Sequence, residues 1–591
     1  MSRELELVRI DTDVLVIGGG LAGCMAAIKA REHGVDVVLA EKANTENSGG
    51  AGTGIDHFWA YIPPVHGAMG WTLDDMLEDH VKGYASGLIN RDLLELVASQ
   101  TYNRAMDLER FGVNFRFKDS PLPGNFRVVF QYHSVPSSFN FDGREIKRKQ
   151  TLQAKRRGVK IFNRVMMTDL VTNDGQIAGA LGIGVRDGKL YFFRAKAVVL
   201  STGRSSRWTR PPSGLRHNLR IPAEDTGDGK AMALRAGVGV INMEFVSSPG
   251  FSISGNEINL GSPRSTTQPA GSITGPNGEV FIPRTHFYDW SKLGKEEVDA
   301  AAVRRGWMAA RAGGAGRPAS RLDYPGLRRQ GKGPFFLDLT AGTEEEIKYI
   351  EWSIANEGKG FYWLHHVKDE ERFDFRRDKL EYLPNARELS QLGAAGTVVD
   401  KNLETQIKGL FAAGDDVGGL PGSASPGAVT MGWHAGDMAG ARASKQPALV
   451  PATDQQAEPL RERCSKLLAA EDGFHWSELE LAVQNAFDYY CGDERTAAYL
   501  ERGLLRLREL KETTPLKAES PHELGRCLEV RSIVENAEMI VRASLARRET
   551  RRAPARFARA DYPEQDDENF LCFLSQRQTN GQVEFSKIPV G

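Results

Sequence analysis

Asp13-Val-Leu-Val-Ile-Gly18-Gly-Gly-Leu-Ala-Gly23 is the stretch on which the reading of this chain turns. After a polar start it runs apolar and β-branched for four residues, as a buried parallel strand does. The glycines follow at once, and Cys24 to Glu32 then has helical composition. In such a strand–turn–helix unit Gly18 permits the tight turn and Gly20 lets the backbone approach a pyrophosphate. Gly23 allows helix and strand to pack closely. The helix N-terminus adds amides and a favourable dipole for phosphates. Val35 to Ala40 reads as the second strand, and Glu41 closes it about where a carboxylate accepts from ribose hydroxyls. A lone Gly-x-Gly-x-x-Gly is a weak sign. Strand, glycines, helix, strand and acid in order predict a dinucleotide-binding fold.

The nucleotide could be NAD or FAD, and two distant segments decide for FAD. Ala197-Val-Val-Leu-Ser-Thr-Gly203 is an apolar strand ending in Thr-Gly, and Lys408-Gly-Leu-Phe-Ala-Ala-Gly-Asp415 is a short one ending in Gly-Asp. Both place small residues at strand ends along the cofactor crevice. Asp415 is suited to accept from a ribityl hydroxyl. The three segments together resemble flavoproteins with the glutathione reductase type of FAD fold.

Thr226-Gly-Asp-Gly229, Met232-Ala-Leu-Arg-Ala-Gly237 and Asn242-Met-Glu-Phe-Val246 resemble the fumarate reductase/succinate dehydrogenase flavoprotein family. So do Gly331-Lys-Gly-Pro-Phe-Phe-Leu-Asp-Leu339, Arg548-Glu-Thr-Arg551, Arg559-Ala-Asp-Tyr-Pro563 and Asp566-Asp-Glu-Asn569. Within the family the resemblance runs most nearly to the adenylylsulfate reductase α subunit. The stretches that carry it are the Glu-Thr-Arg to Arg-Ala-Asp spacing, Gly414-Asp-Asp-Val-Gly418 and Cys572-Phe-Leu-Ser-Gln-Arg577. The resemblance covers nearly the whole chain. It implies an α/β fold: a Rossmann-like FAD domain of the glutathione reductase type, an inserted α+β capping domain and a C-terminal helical domain. The implied boundaries are 6–243 and 388–445 for the FAD domain, 244–387 for the capping domain, 455–550 for the helical domain and 551–591 for a tail.

Positions expected against FAD are Gly18, Gly20, Leu21, Ala22 and Gly23, then Glu41 and Lys42, then the small-residue loop Ser48, Gly49, Gly50, Ala51, Gly52, Thr53 and Gly54. Met167, Thr202, Gly203, Asp228, Gly414, Asp415, Gly427, Ala428 and Val429 complete the set. Three departures from the family pattern shape the functional expectation. Asn47 stands about where covalent members carry the flavin-linking histidine, which implies non-covalent FAD. Ser247-Ser-Pro-Gly250 replaces the His-Pro of dicarboxylate enzymes. Ser390-Gln-Leu-Gly-Ala-Ala-Gly396 lacks the histidine of adenylylsulfate reductases. A different substrate is therefore expected.

An anionic substrate calls for arginine, whose planar fork binds carboxylate or phosphate at two points. By spacing Arg321 is the first candidate, followed by Arg304, Arg305 and Arg317. His286 and His366 are chosen as candidate acids, with His365, His57 and His434 beside them. For each of these residues taken alone, a solvated or structural side chain is the simpler reading. Trp208 reads as a flavin contact or a core residue, and Lys155-Arg-Arg157 as a solvated helix end.

Composition bounds the rest. A chain of 591 residues with a net charge of −1 offers no electrostatic footprint for nucleic acid. No apolar run reaches the length of a membrane span, and the charged start leaves no room for a signal peptide, so a cytoplasmic protein is expected. Cys24, Cys464, Cys491, Cys527 and Cys572 form no C-x-x-C pair and fit no iron–sulfur ligand set. Any cluster feeding the flavin must sit on a separate iron–sulfur protein, which implies a hetero-oligomer. Between the two parts of the FAD domain, 344–357 reads as an amphipathic helix and 311–321 as a Gly-rich loop. Leu449 to Thr453 is a linker, and 455–545 carries helical periodicity. Three functions remain open: an oxidoreductase exchanging electrons with that partner, a self-contained flavin dehydrogenase or reductase of an activated C–C or C=C bond, and an electron-transfer subunit with no organic substrate.

Overall fold

The computed structural model describes residues 5–129, 133, 135–211, 219, 221–246, 251–253, 271–282, 324–356, 372–384, 386–390, 392–551 and 553–590. The decisive strand extends further than its apolar run. Leu7–Ile17 lies at the centre of a seven-stranded sheet, parallel to Val37–Glu41 on one side and Leu190–Leu200 on the other. Leu7 sits opposite Leu190 and Ile17 opposite Leu200, so the two long strands end together. Lys160–Asn163 extends the parallel part outward from Val37–Glu41. Leu410–Ala412 runs parallel to the last residues of Leu190–Leu200. An antiparallel hairpin, Val165–Asn173 with Gln176–Gly184, occupies the lower half of that same strand. Val14, Leu15 and Val16 are fully buried, as a strand covered on both faces requires.

Helix Leu21–Arg31 packs along Ala424–Lys445 with little between the backbones. Gly432 and Gly436 face Ala22 and Ala26, and a Cβ on either glycine would lie 2.3 Å from the facing carbonyl oxygen. Gly440 faces Ala30 in the same stripe. This close packing brings the N-termini of both helices to one edge of the sheet.

The insert contributes a five-stranded antiparallel sheet in the order Phe251–Ile253, Leu380–Pro384, Phe336–Asp338, Ser272–Thr274, Val280–Ile282. Helix Glu344–Asn356 returns from it to the FAD domain. There Asn356 Nδ2 donates to the Phe141 carbonyl at 2.6 Å, and its Oδ1 accepts from Arg144 N–H at 3.2 Å. Helices Glu458–Ala469, Trp476–Tyr490, Ala497–Thr513 and Pro521–Ala546 follow. Ser520 caps the last of these by accepting from Glu523 N–H. The described residues between 551 and 590 do not trail away from the body. Hairpin Cys572–Thr579 with Gln582–Pro589 turns at Asn580-Gly581, with φ of 51° and 79°, and pairs with Val240–Ile241. Buried Arg547 anchors this end, its Nε donating to Glu244 at 2.6 Å and its Nη1 to Glu549 at 2.7 Å. Among the described residues no helix is long and apolar enough to cross a membrane.

Candidate cofactor and active site

A crevice opens where the parallel strands end. Its walls are the glycine turn after Leu7–Ile17, the segment after Val37–Glu41, the loop at 47–51, Val165 to Met167, Ser201 to Arg204, Ala413 to Asp415 and the first turn of Ala424–Lys445. The three segments singled out in the sequence thus meet in one place. Gly18, Gly20, Leu21, Ala22, Glu41, Lys42, Ser48, Gly49, Gly50, Ala51, Met167, Thr202, Gly203, Asp228, Gly414, Asp415 and Ala428 all line it.

The glycines divide by cause. A Cβ on Gly18, at φ +97°, would lie 2.4 Å from the Ser201 carbonyl oxygen, and one on Gly23 1.9 Å from that of Gly18. Both are dictated by chain packing. A Cβ on Gly20 would meet nothing nearer than Gly49 Cα at 3.9 Å. The protein's own packing leaves that side of Gly20 open toward the crevice.

Several expected positions stand back from the wall, and packing accounts for each. Gly23 is taken up by the helix–strand contact. Gly52 closes against the Asn47 carbonyl, and Thr53 is exposed. Gly54 faces Arg144 and Asn356 at the junction with the insert. Gly427 faces Ser423 and Met431, and Val429 is buried in an apolar core that includes Phe58 and Phe139. Arg321, His286 and His366 lie outside the described residues, as do Arg304, Arg305, Arg317, His365 and the 311–321 loop. His57 Nδ1 lies 2.5 Å from Asp56 Oδ1. His434 is half-buried on Ala424–Lys445, away from the crevice wall. Trp208 is a core residue, its ring tilted against Phe487 with centroids 4.7 Å apart. Lys155 and Arg156 close helix Ile146–Arg156.

Other wall residues escaped the sequence reading. Arg204 Nε donates to Asp415 Oδ2 at 2.9 Å and its Nη1 to Glu388 at 2.8 Å. Burial would lower the Arg204 pKa, but Glu388 and Asp415 outweigh it and raise it. Burial lifts Asp225 well above the carboxylate range and favours its proton-carrying form, against the pull of Arg204 and Lys42. Asp416, beside Asp415 in sequence, is fully buried and takes another part. Its Oδ2 accepts from Thr202 Oγ1 at 2.9 Å and its Oδ1 lies 3.4 Å from Lys230 Nζ, which ties the two strand ends together. Asp225 directly precedes the Thr-Gly-Asp-Gly motif and Arg204 directly follows the Thr-Gly strand. Adjacency to a motif was the signal available.

A charged chain runs from the crevice into the helical region. Lys42 Nζ donates to Asp228 at 2.7 Å and reaches Glu529 at 3.1 Å. Arg207 Nη1 joins Glu529 at 2.9 Å, and its Nη2 joins Glu480 at 2.7 Å. Burial disfavours the Glu529 carboxylate, yet Lys42, Arg207 and Arg526 hold its pKa at about 2.

The residues present fit an FAD. Ser48 Oγ, Asp228 Oδ1 and Asp415 Oδ1 are buried in wall residues and have no hydrogen-bond partner among the described residues. A buried acceptor left so costs about 1–3 kcal/mol, and the ribose and ribityl hydroxyls of FAD are donors that relieve it. The glycine turn and two helix N-termini suit a diphosphate. Fold and crevice together define an FAD-dependent oxidoreductase.

Comparison with known proteins agrees. The chain belongs to the fumarate reductase/succinate dehydrogenase flavoprotein family: residues 13–310 match its FAD binding domain and residues 480–591 the fumarate reductase flavoprotein C-terminal domain. One subunit of the CoM/CoB fumarate reductase of Methanothermobacter marburgensis is 24% identical over 98% of this chain and 99% of its own length. The Escherichia coli fumarate reductase flavoprotein subunit is 25% identical over 73% of this chain and 70% of its own length. In structure, adenylylsulfate reductase from Archaeoglobus fulgidus superposes with a TM-score of 0.81 at 24% identity, covering 99% of this chain and 97% of that one. The E. coli quinol fumarate reductase flavoprotein does so at 0.77 and 21%, covering 98% and 97%.

Proposed function

We propose that this oxidoreductase binds FAD non-covalently, acts on a small anionic substrate and exchanges electrons with a separate iron–sulfur protein. The observation that carries the electron route is the placement of the cysteines. All five are free and buried, four on separate elements and Cys491 just after helix Trp476–Tyr490, and among the described residues no group of His, Cys, Asp or Glu could hold a metal ion. When bound, FAD supplies hydride and single-electron chemistry. The chain's own part is to hold and orient it. Asp415 and Asp228 offer acceptors to its hydroxyls, Gly20 leaves room for its diphosphate, and the N-terminus of Ala424–Lys445 turns a positive dipole end toward the crevice. Asn47 lines the same wall, and its carboxamide cannot form the histidyl bond of covalent relatives. The candidates for binding the substrate's negative charge remain Arg321 first, with His286 and His366 as acids.

Anaerobic titration tests the reading. The flavin of the dithionite-reduced and of the oxidised chain is mixed with a panel of small carboxylate, sulfonate and phosphate anions, with fumarate, succinate, adenylyl sulfate and sulfite plus AMP included as anions expected to leave it unchanged. Each is followed by absorbance, with and without an added ferredoxin-type protein. One anion should change the flavin's redox state, and turnover should rise with the iron–sulfur protein. Full turnover with a soluble nicotinamide alone, unchanged by that protein, would favour the self-contained enzyme instead. Acid precipitation should release all the yellow colour, and flavin retained in the pellet would rule out non-covalent binding.

A further inference from the structure

The crevice wall is acidic before any cofactor arrives. Glu41, Glu224, Asp228 and Asp415 line it, beside a proton-carrying Asp225, against two cations, Lys42 and Arg204. Both cations are already committed, Lys42 to Asp228 and Glu529, Arg204 to Asp415 and Glu388. The group that must enter carries a diphosphate, so the negative charge of the site rises further on binding.

One further cation touches the glycine turn, from behind. Lys147 is 1% exposed, and its Nζ donates to the Gly19 carbonyl at 2.6 Å. Its other neighbours are Cys24 Sγ at 3.1 Å and Gln150 Oε1 at 3.5 Å. No described carboxylate lies within 4.0 Å of it. Lys147 also sits in the first turn of Ile146–Arg156, where the helix dipole disfavours a cation. A buried ammonium without an anion, at the wrong end of a helix, is a costly arrangement that the protein alone does not repay. The peptide before it meets a carboxylate: Gly19 N–H, in the Gly18–Gly19 peptide, donates to Glu41 Oε2 at 2.6 Å. The turn is thus gripped between an acid on the nucleotide side and an ammonium on the other.

We propose that Lys147 is the buried counter-charge of the FAD diphosphate, a positioning residue that acts through the Gly19–Gly20 peptide and offsets the charge of Glu41, which is bound to the neighbouring peptide of the turn. The proposal concerns only how FAD is held, and it stands or falls independently of the substrate and the electron partner. Its signature is a pair of opposite effects. Removing the charge relieves the empty protein of an uncompensated ammonium, yet deprives the diphosphate of its counter-ion.

The test uses Lys147→Met and Lys147→Gln in the full chain, deflavinated and titrated with FAD by quenching of flavin fluorescence. Melting is recorded with and without FAD. Both variants should bind FAD roughly tenfold or more weakly, as loss of a unit charge acting through a partly low-dielectric path implies. Both should melt no lower than the wild type when empty, and gain less on adding FAD. FAD affinity within twofold of wild type in both variants would overturn the proposal. So would wild-type affinity in Lys147→Gln alone, because glutamine keeps a donor for Gly19 without the charge. A lower melting temperature of the empty variants with an unchanged gain from FAD would assign Lys147 a structural role only.

Discussion

Gly436→Ala tests the contact that brings the two helix N-termini to the crevice. A methyl on Gly436 would lie 2.3 Å from the Ala26 carbonyl oxygen and 2.7 Å from Ala26 Cα. Both are backbone atoms, so no side chain can rotate away. To restore ordinary contact the helices must separate by about 1 Å. Overpacking of this kind costs about 1–3 kcal/mol, and alanine returns about 1 kcal/mol through its better helix propensity. With backbone on both sides the cost belongs at the upper end, leaving a net loss of about 2 kcal/mol. The separation also pulls Ala22 and Ala428, both wall residues, away from each other. The assay is thermal melting of the empty and FAD-loaded protein, with bound flavin measured by absorbance. Gly436→Ala should melt a few degrees lower and purify with less flavin. Gly67→Ala, in helix Pro63–Ala68 with no atom within 4 Å of the new methyl, should melt at or slightly above the wild type. If Gly436→Ala kept both the wild-type melting temperature and full flavin, the idea that glycine is demanded by the helix contact would be wrong.

Three further outcomes follow from the crevice. Gly20→Ala should leave the empty protein as stable as the wild type but weaken FAD binding, whereas Gly23→Ala, with its methyl 1.9 Å from the Gly18 oxygen, should fail to fold. Equal melting losses in the two variants, by calorimetry, would contradict the division of the glycines. Asp415→Ala removes an acceptor with an unpartnered oxygen and should lower FAD affinity about ten- to a hundredfold by fluorescence titration, from about 1.5–3 kcal/mol for a charged hydrogen bond. Glu529 has a folded pKa of about 2, below its unfolded value of about 4.3, so its contribution is present above the unfolded value and lost as pH falls toward 2. Glu529→Gln should therefore lose less stability than the wild type between pH 4.5 and 2, by about 2 kcal/mol, in urea unfolding read by tryptophan fluorescence. Parallel acid limbs would refute the assignment.

What could be read from the sequence and what could not follow a physical line. Gly18, Gly20 and Glu41 were legible as crevice residues because a diphosphate and its sugars demand particular residue types at set distances along one strand–turn–helix–strand unit. The same logic paired the Thr202-Gly203 and Gly414-Asp415 strand ends, which Asp416 then ties together. Gly52, Thr53 and Gly54 share the composition of the loop before them, and composition alone does not say where that loop leaves the wall. Lys147 was invisible for the opposite reason. Nothing in Ile146-Lys-Arg-Lys149 separates the one buried lysine from its neighbours, and the partner that gives it meaning, Gly19, is 128 positions away. Arg207 is a similar case, since its carboxylates come from two helices of the C-terminal region. Motifs record what a bound group asks of the chain locally. The charges that balance that group are set by packing between distant elements, and the helices that carry Glu480 and Glu529 are for that reason part of the cofactor site: they hold Arg207 and Lys42, and Lys42 holds Asp228 at the crevice wall.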